Sequence, residues 1–456
     1  MNILLVVCDT TRVDHMSCYG YFRETTPNID SLAKDGIIFE DFYNAGAPTG
    51  PAFTCMYTGL YPIRHKIYRF TQPNIRQVDD LIFTMPEILR AWGYTTAAVD
   101  NLINFAPHMK HWVRGYEFYI NPNKAFQDPP SILAEDVNRR LIPWIKQHSD
   151  EEFFLFVHYW DPHLRYNQPQ EYREVFHHKK GDLSDLEVKE APAGYEYVPG
   201  WGKVGEYADG EIKWRGIKVS IDLYDGEIFY MDHAIGELIT TLKDEGIFEE
   251  TLIIVTSDHG EQLNQHYGHW GHPGLHDAVT HVPLIIRYPK KLPRGLRVKG
   301  FGQHIDLLPT ILDIIGAPTE ALDMDGRSLF PLLKGEAVKD TIFMEHSDGQ
   351  RAVRTDKWKL IDDRLGIYTR TYELYNVEDD PLETINLLEK EKEKADELRN
   401  TLNDWVKTNL KRVLKEGEKD PAIMDMSKPS RMAVEYREKI SQLLESFAEA
   451  KSSATR

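Results

Sequence analysis

The amino-acid sequence predicts an α/β protein: a mostly parallel sheet flanked by helices, followed by a smaller C-terminal α+β subdomain. Three observations carry this. The chain opens on a continuous apolar, β-branched run, Ile3-Leu4-Leu5-Val6-Val7-Cys8, which reads as a buried strand. Runs of the same kind recur at residues 95–99, 153–157, 252–256 and 282–286. Segments with helical spacing of apolar residues lie between them, at 29–35, 84–92, 136–147 and 224–244. Strands alternating with helices form βαβ units, which need a parallel sheet covered on both faces.

Two shifts in composition divide the chain. Residues 169–216 are rich in Gly, Pro, Tyr and charge without a clean period, and read as an insertion over the sheet edge. Beyond Gly326-Arg327-Ser328-Leu329-Phe330-Pro331 the pattern changes, and we expect a catalytic α/β domain over 1–340 and a subdomain over 341–456. In the latter, 351–354 and 357–361 read as short antiparallel strands, followed by Tyr372-Glu373-Leu374-Tyr375. The charged stretches 389–414 and 431–450 read as helices. The last carries Ile440, Leu443, Leu444 and Phe447, enough to pack on the chain itself or to support a homo-oligomer.

Composition excludes several functions. In 456 residues, 54 Lys and Arg stand against 72 Asp and Glu, a formal net charge of −18, so nucleic acid is not an expected partner. No apolar run is long enough for a membrane span. Three cysteines, Cys8, Cys18 and Cys55, make no disulfide framework. With an apolar strand starting at residue 2 and no signal-peptide pattern, the expected location is cytoplasmic.

In a parallel sheet, ligands sit beyond the carboxyl ends of the strands. Asp9 follows the first strand, where it serves either a turn or a metal. Ser257-Asp258-His259-Gly260-Glu261 follows the strand at 252–256. A carboxylate beside an imidazole suits zinc or manganese, unless the Asp is only a cap. Six histidines, His259, His266, His269, His272, His276 and His281, crowd the same stretch, and serve either metal or anion handling or only a surface loop. His158-Tyr159-Trp160-Asp161-Pro162-His163 follows the strand at 153–157, with Pro162 stiffening the corner. Ala47-Pro48-Thr49-Gly50-Pro51-Ala52 precedes a short helix expected at 54–59. Thr49 there is either an N-cap or a nucleophile aimed from a helix start that favours anions.

These motifs, in order from residue 2 to about 390, resemble the sulfatases of the alkaline phosphatase superfamily. That superfamily also holds phosphonate monoester hydrolases and phosphodiesterases. The resemblance rests on Asp9-Thr10-Thr11-Arg12-Val13-Asp14-His15, Thr25-Thr26-Pro27-Asn28-Ile29, Thr58-Gly59-Leu60-Tyr61-Pro62 and Ser257-Asp258-His259-Gly260-Glu261. It extends to Val282-Pro283-Leu284, Asp306-Leu307-Leu308-Pro309-Thr310, Asp325-Gly326-Arg327-Ser328-Leu329 and Glu373-Leu374-Tyr375-Asn376. It implies an alkaline-phosphatase-like fold and a divalent ion (Mn, Zn or Ca) held by Asp9, Asp258 and His259 together with Thr49. The Asp-His pair resembles the phosphonate monoester hydrolase branch more than the Asp-Asn pair of many sulfatases. Thr10 stands where many sulfatases carry a second Asp.

The nucleophile motif departs from the family. Sulfatases carry a C-x-P-S/A-R motif whose Cys becomes formylglycine; here Thr49-Gly50-Pro51-Ala52-Phe53 stands in its place. No formylglycine is expected, and Phe53 replaces the Arg. The resemblance implies a metal-dependent hydrolase of a small anionic ester: sulfate, phosphate or phosphonate. Thr49 would be the nucleophile, His163 and His272 would contact the transferring group or protonate the leaving oxygen, and His281 would be a further substrate contact. Phosphodiesters and phosphonate esters are favoured, because a threonine ester lacks the hemiacetal exit that releases sulfate. An arylsulfatase-like activity, a phospho-group transferase or mutase, and a non-catalytic binding protein on a degraded scaffold are the other readings.

Overall fold

The computed structural model describes residues 1–68, 78–105, 109–123, 132–164, 166–176, 197–198, 202–203, 217–263, 265–266, 270–320, 322–365, 369, 371–414 and 420. The strands that build its two main sheets are, in chain order, β1 (Asn2–Cys8), β2 (Ile37–Phe39), β3 (Gly46–Ala47), β4 (Thr95–Val99), β5 (Phe118–Ile120), β6 (Phe153–Tyr159) and β7 (Thr251–Thr256). They continue with β8 (Leu284–Arg287), β9 (Leu296–Val298), β10 (Thr341–His346), β11 (Arg351–Thr355), β12 (Trp358–Asp362) and β13 (Tyr372–Asn376).

The large sheet has the order β9-β2-β8-β7-β1-β6-β4-β5. It is mostly parallel, as expected; only β8 runs against both of its neighbours, β7 and β2. β1 lies in the middle, in register with β7 through Val7↔Thr256 and with β6 through Cys8↔Tyr159. All seven of its residues are buried. A fully buried Ile, Leu or Val contributes about 1.5–3 kcal/mol, so this strand is firmly anchored and Asp9 inherits its position.

Helices cover both faces, and residue parity along β6 separates them. Phe156 and His158 meet the ring of Phe53, from helix α2 (Thr49–Thr58). On the opposite face, Phe153 packs on Trp144, and the Tyr159 hydroxyl donates to Asn138 at 2.6 Å. Alternate strand residues face opposite ways, so the two sets of partners belong to two layers. The second layer comprises α1 (Pro27–Lys34), α4 (Ala134–Gln147) and α5 (Ile217–Asp244). Asn138 donates to the Ala234 carbonyl, and Asp232 accepts the backbone N–H groups of Asn28 and Ile29 at the start of α1. The first layer adds α3 (Met85–Ala91), opened by a Thr84–Glu87 capping box, and α6 (Leu307–Ile315).

The second sheet, β13-β12-β11-β10-β3, belongs to the C-terminal subdomain with α7 (Lys392–Val413). Its last strand comes from the N-terminal part: β3 pairs with β10 through His346↔Ala47. The subdomain is thereby bonded to the backbone that leads into Thr49.

Three expectations change. The helix expected at 54–59 starts at Thr49, because its first turn uses few N–H groups and so accepts Gly50 and Pro51. It ends as expected at Gly59, at φ +68°. The strand expected at 282–286 begins at Leu284, and the helix expected from 224 begins at Ile217. Most of the expected insertion at 169–216 and the whole of the stretch 431–450 lie outside the described residues.

Candidate active site

The site is built at the carboxyl ends of three adjacent strands. Asp9 follows β1 and donates its backbone N–H to Tyr159 at 2.9 Å. Asp258 and His259 follow β7. Asp9, Asp258 and His259 are fully buried and offer ligand atoms that all lie within 4.8 Å of one another. Gly260 keeps this turn in place by close approach: its N–H donates to Val279, and an added Cβ would lie 2.0 Å from the Ala278 carbonyl oxygen.

Each of the three residues is held by one atom and turns another toward the others. Asp258 Oδ1 accepts the N–H groups of Thr10 at 3.2 Å and His259 at 2.8 Å. Asp9 Oδ2 faces His158 Nε2 at 3.2 Å. His259 Nδ1 donates to the Gly260 carbonyl at 2.9 Å, which assigns the lone pair to Nε2. Asp9 Oδ1 and Asp258 Oδ2 have no hydrogen-bond partner among the described residues. Two bare carboxylate oxygens in a dry interior are costly unless a cation meets them, so the donor set fits a divalent ion. Oxygen and imidazole donors together suit manganese or zinc better than calcium, which takes oxygen ligands.

Thr49 Oγ1 lies 3.2 Å from His259 Nε2. It is the first residue of α2, where the helix dipole favours negative charge. Phe53, one turn on, packs edge-on to His158 with ring centroids 4.9 Å apart. Cys55 points elsewhere: it is buried, and its Sγ faces His65 Nε2 at 3.4 Å.

His163 and His272 meet beside this group, with Nε2 atoms 3.2 Å apart. His163 Nδ1 donates to the Leu164 carbonyl, and the His272 ring lies 4.4 Å from that of His259. His346 Nε2 donates to the His272 carbonyl at 2.9 Å, so the C-terminal sheet holds the loop. His281 does not join them. Its Nε2 donates to the Glu40 carbonyl at 2.8 Å, and its ring stacks on Tyr43 at 4.6 Å. The substrate contact expected of His281 finds no support in its position: its Nε2–H is spent on the backbone after β2, and one ring face is covered by Tyr43.

Charge is tuned by burial. The Asp258 carboxyl is pushed up to about 6 by burial and by the charge of Asp9. Burial also works against Asp9, but the His158 hydrogen bond and nearby imidazoles hold it below the usual range. Burial works against the His158 cation too, yet its bonds to Asp100 and Asp9 raise it to about 10. Burial and neighbouring imidazoles push His272 well down, and burial lowers His163, so both are neutral near pH 7.

Sequence reasoning missed Asp100 and the part played by His158. His158 Nδ1 lies 2.9 Å from Asp100 Oδ1. The available signal was that Asp100 follows β4 as directly as Asp9 follows β1.

The chain matches the family model described as Sulfatase over residues 1–317. It matches the model for the C-terminal region of N-sulphoglucosamine sulphohydrolase over residues 266–412. It is 27% identical over 407 residues to the multifunctional alkaline phosphatase superfamily protein PehA of Trinickia caryophylli, covering 73% of this chain and 77% of that one. It is 24% identical over 413 residues to the choline-sulfatase of Rhizobium meliloti, covering 80% and 77%. Among solved structures, the phosphonate monoester hydrolase of Agrobacterium radiobacter superposes with a TM-score of 0.72 at 22% identity, covering 91% and 96%. That of Silicibacter pomeroyi superposes with a TM-score of 0.70 at 21% identity, covering 91% and 96%.

Proposed function

The chain belongs to the sulfatase family and is a hydrolase of sulfuric or phosphoric esters; from that premise we propose that Thr49 is its nucleophile and singly charged phosphorus esters its substrates. The observation that carries this is the Thr49 hydroxyl at 3.2 Å from His259 Nε2, beside the free oxygens of Asp9 and Asp258.

Asp9, Asp258, His259 and Thr49 would hold a divalent ion, manganese or zinc by their donor chemistry. When bound, it supplies Lewis acidity and a lowered hydroxyl pKa. Thr49 Oγ attacks phosphorus, giving up its hydroxyl proton to the neutral His163–His272 pair, and the bond to the leaving alkoxide breaks on the opposite side. The anionic ester favours the charged form of the His163–His272 pair, which takes up that proton and delivers it to the leaving oxygen. The pair, neutral again, then accepts a proton from water as that water attacks the threonine ester, and returns it to Thr49 Oγ as the ester bond breaks.

Two features support phosphorus over sulfur. A threonine ester can be cleaved only by a second attack at the central atom, which phosphoryl groups tolerate. Phe53 in place of Arg also leaves less positive charge for a doubly charged phosphate monoester. The test is a panel of nitrophenyl sulfate, nitrophenyl phosphate, bis-nitrophenyl phosphate and a nitrophenyl phosphonate, with added manganese or zinc. We expect diester or phosphonate turnover to exceed sulfate turnover. Efficient multiple-turnover sulfate hydrolysis with weak diester hydrolysis would overturn the reading.

A cytoplasmic setting belongs to the same proposal, supported by the sparse, free cysteines. So does assembly through residues 431–450, which a monomer in sedimentation at micromolar concentration would exclude. Among the described residues no helix is long and apolar enough to cross a membrane.

A further inference from the structure

Asp9 can serve an ion only if one oxygen stays aimed at it. The carboxylate is fully buried, and its side chain could rotate to present either oxygen or both. Among the described residues, one side chain meets this carboxylate by a hydrogen bond. His158 Nε2 lies 3.2 Å from Asp9 Oδ2, and Oδ1 has no hydrogen bond among the described residues.

His158 is itself held on three sides. Its Nδ1 lies 2.9 Å from Asp100 Oδ1. Asp100 Oδ2 accepts the Leu102 N–H at 3.0 Å and the Tyr119 hydroxyl, which fixes the carboxylate that fixes the ring. The Phe53 ring packs edge-on at 4.9 Å and Trp160 at 4.7 Å. Asp100, His158 and Asp9 sit on the neighbouring strands β4, β6 and β1 or directly after them, so the sheet itself spaces the chain of bonds. Phe53 occupies the slot where the family's nucleophile motif carries Arg, and it closes over the imidazole.

We propose that His158, oriented by Asp100, is the positioning residue that turns Asp9 so that Oδ1 alone faces the ion site. This rests on the metal-site reading above. Hydrogen-bonded partners of metal ligands characteristically set ligand orientation, and losing one costs about 10- to 100-fold in metal affinity. The Phe side chain at 53 then has a function of its own: it excludes water from the His158–Asp9 bond.

The test uses the full chain, stripped by a chelator and titrated calorimetrically with Mn²⁺. His158→Phe keeps a ring of similar shape but has no donor, whereas His158→Gln can still reach Asp9 with an amide N–H. We expect His158→Phe to bind at least about 10-fold more weakly than wild type and His158→Gln to recover to within about threefold. A His158→Phe affinity within about threefold of wild type overturns the proposal, as does a Gln variant as weak as the Phe variant, which would make the role one of packing. A crystal structure of the wild-type Mn²⁺ complex needs no variant. Asp9 bound through Oδ1 alone, with Oδ2 still on His158, supports the proposal; bidentate Asp9 with His158 displaced overturns it. Wild-type protein that takes up no Mn²⁺ would overturn the metal-site reading, and this inference with it.

Discussion

Thr49 and His259, separated by 210 residues of sequence, meet through Oγ1 and Nε2 at 3.2 Å. One is the first residue of a helix, the other lies in the turn after a central strand, and neither exposes appreciable surface. His259 spends its Nδ1 proton on the Gly260 carbonyl, so the hydroxyl meets a lone pair. That lone pair is the one His259 would offer an ion, so the ion would sit beside the Thr49 oxygen.

Replacing Thr49 by Ala removes the attacking oxygen and one donor beside the ion site. We expect kcat/KM toward the best substrate of the panel to fall at least ~10³-fold, as for removal of other nucleophiles. Thr49→Ser keeps the oxygen and should retain measurable activity. Full activity in Thr49→Ala would remove the nucleophile from consideration.

Asp258→Ala should lose bound metal and at least ~100-fold of activity, because a charged ligand disappears. Metal content by elemental analysis, measured together with kcat/KM, checks this. A variant that keeps both its metal and its activity would refute the assignment.

Metal affinity should depend on pH through Asp258. Its carboxyl is raised to about 6 by burial and by Asp9, so in the metal-free protein the proton and the ion compete for the same oxygens. The raised value stabilises the metal-free fold at low pH, and that contribution is lost as pH rises through about 6. Added Mn²⁺ should therefore raise the melting temperature more at pH 7.5 than at pH 5.5. Its affinity should fall by up to about tenfold per pH unit below 6. Equal shifts at the two pH values would contradict this.

Gly260→Ala should destabilise the protein by about 2 kcal/mol or more, since overpacked sites cost about 1–3 kcal/mol and here the clash is with backbone. The new Cβ would meet the Ala278 carbonyl oxygen at 2.0 Å, and the displaced turn carries both Asp258 and His259. Chemical denaturation should reveal the loss of stability, and metal affinity should fall with it. A Gly260→Ala protein of unchanged stability would show that this turn has room to move.

The sequence by itself determined the long buried strands and the residues at their ends; the short strands at 37–39, 46–47, 118–120 and 296–298 and the strand at 341–346 carried no such signal. β4 spans Thr95–Val99 as its apolar run predicts, and Asp9, Asp258 and His259 sit beyond the strands that precede them in the sequence. Two short strands near the C-terminus, at Arg351–Thr355 and Trp358–Asp362, were legible for the same reason: alternation and turn residues are local signals, read within a few positions. Tertiary structure decided which strand ends face one another. β1 lies between β6 and β7 because of the crossovers, and only that order brings His158 to Asp9 and Asp100 to His158. His163 and His272 come together across 109 residues, while His281, six residues before β8 ends, is drawn away to Tyr43 and Glu40. Six crowded histidines look alike along the chain. Their separate fates depend on pairing between distant segments, which periodicity does not encode.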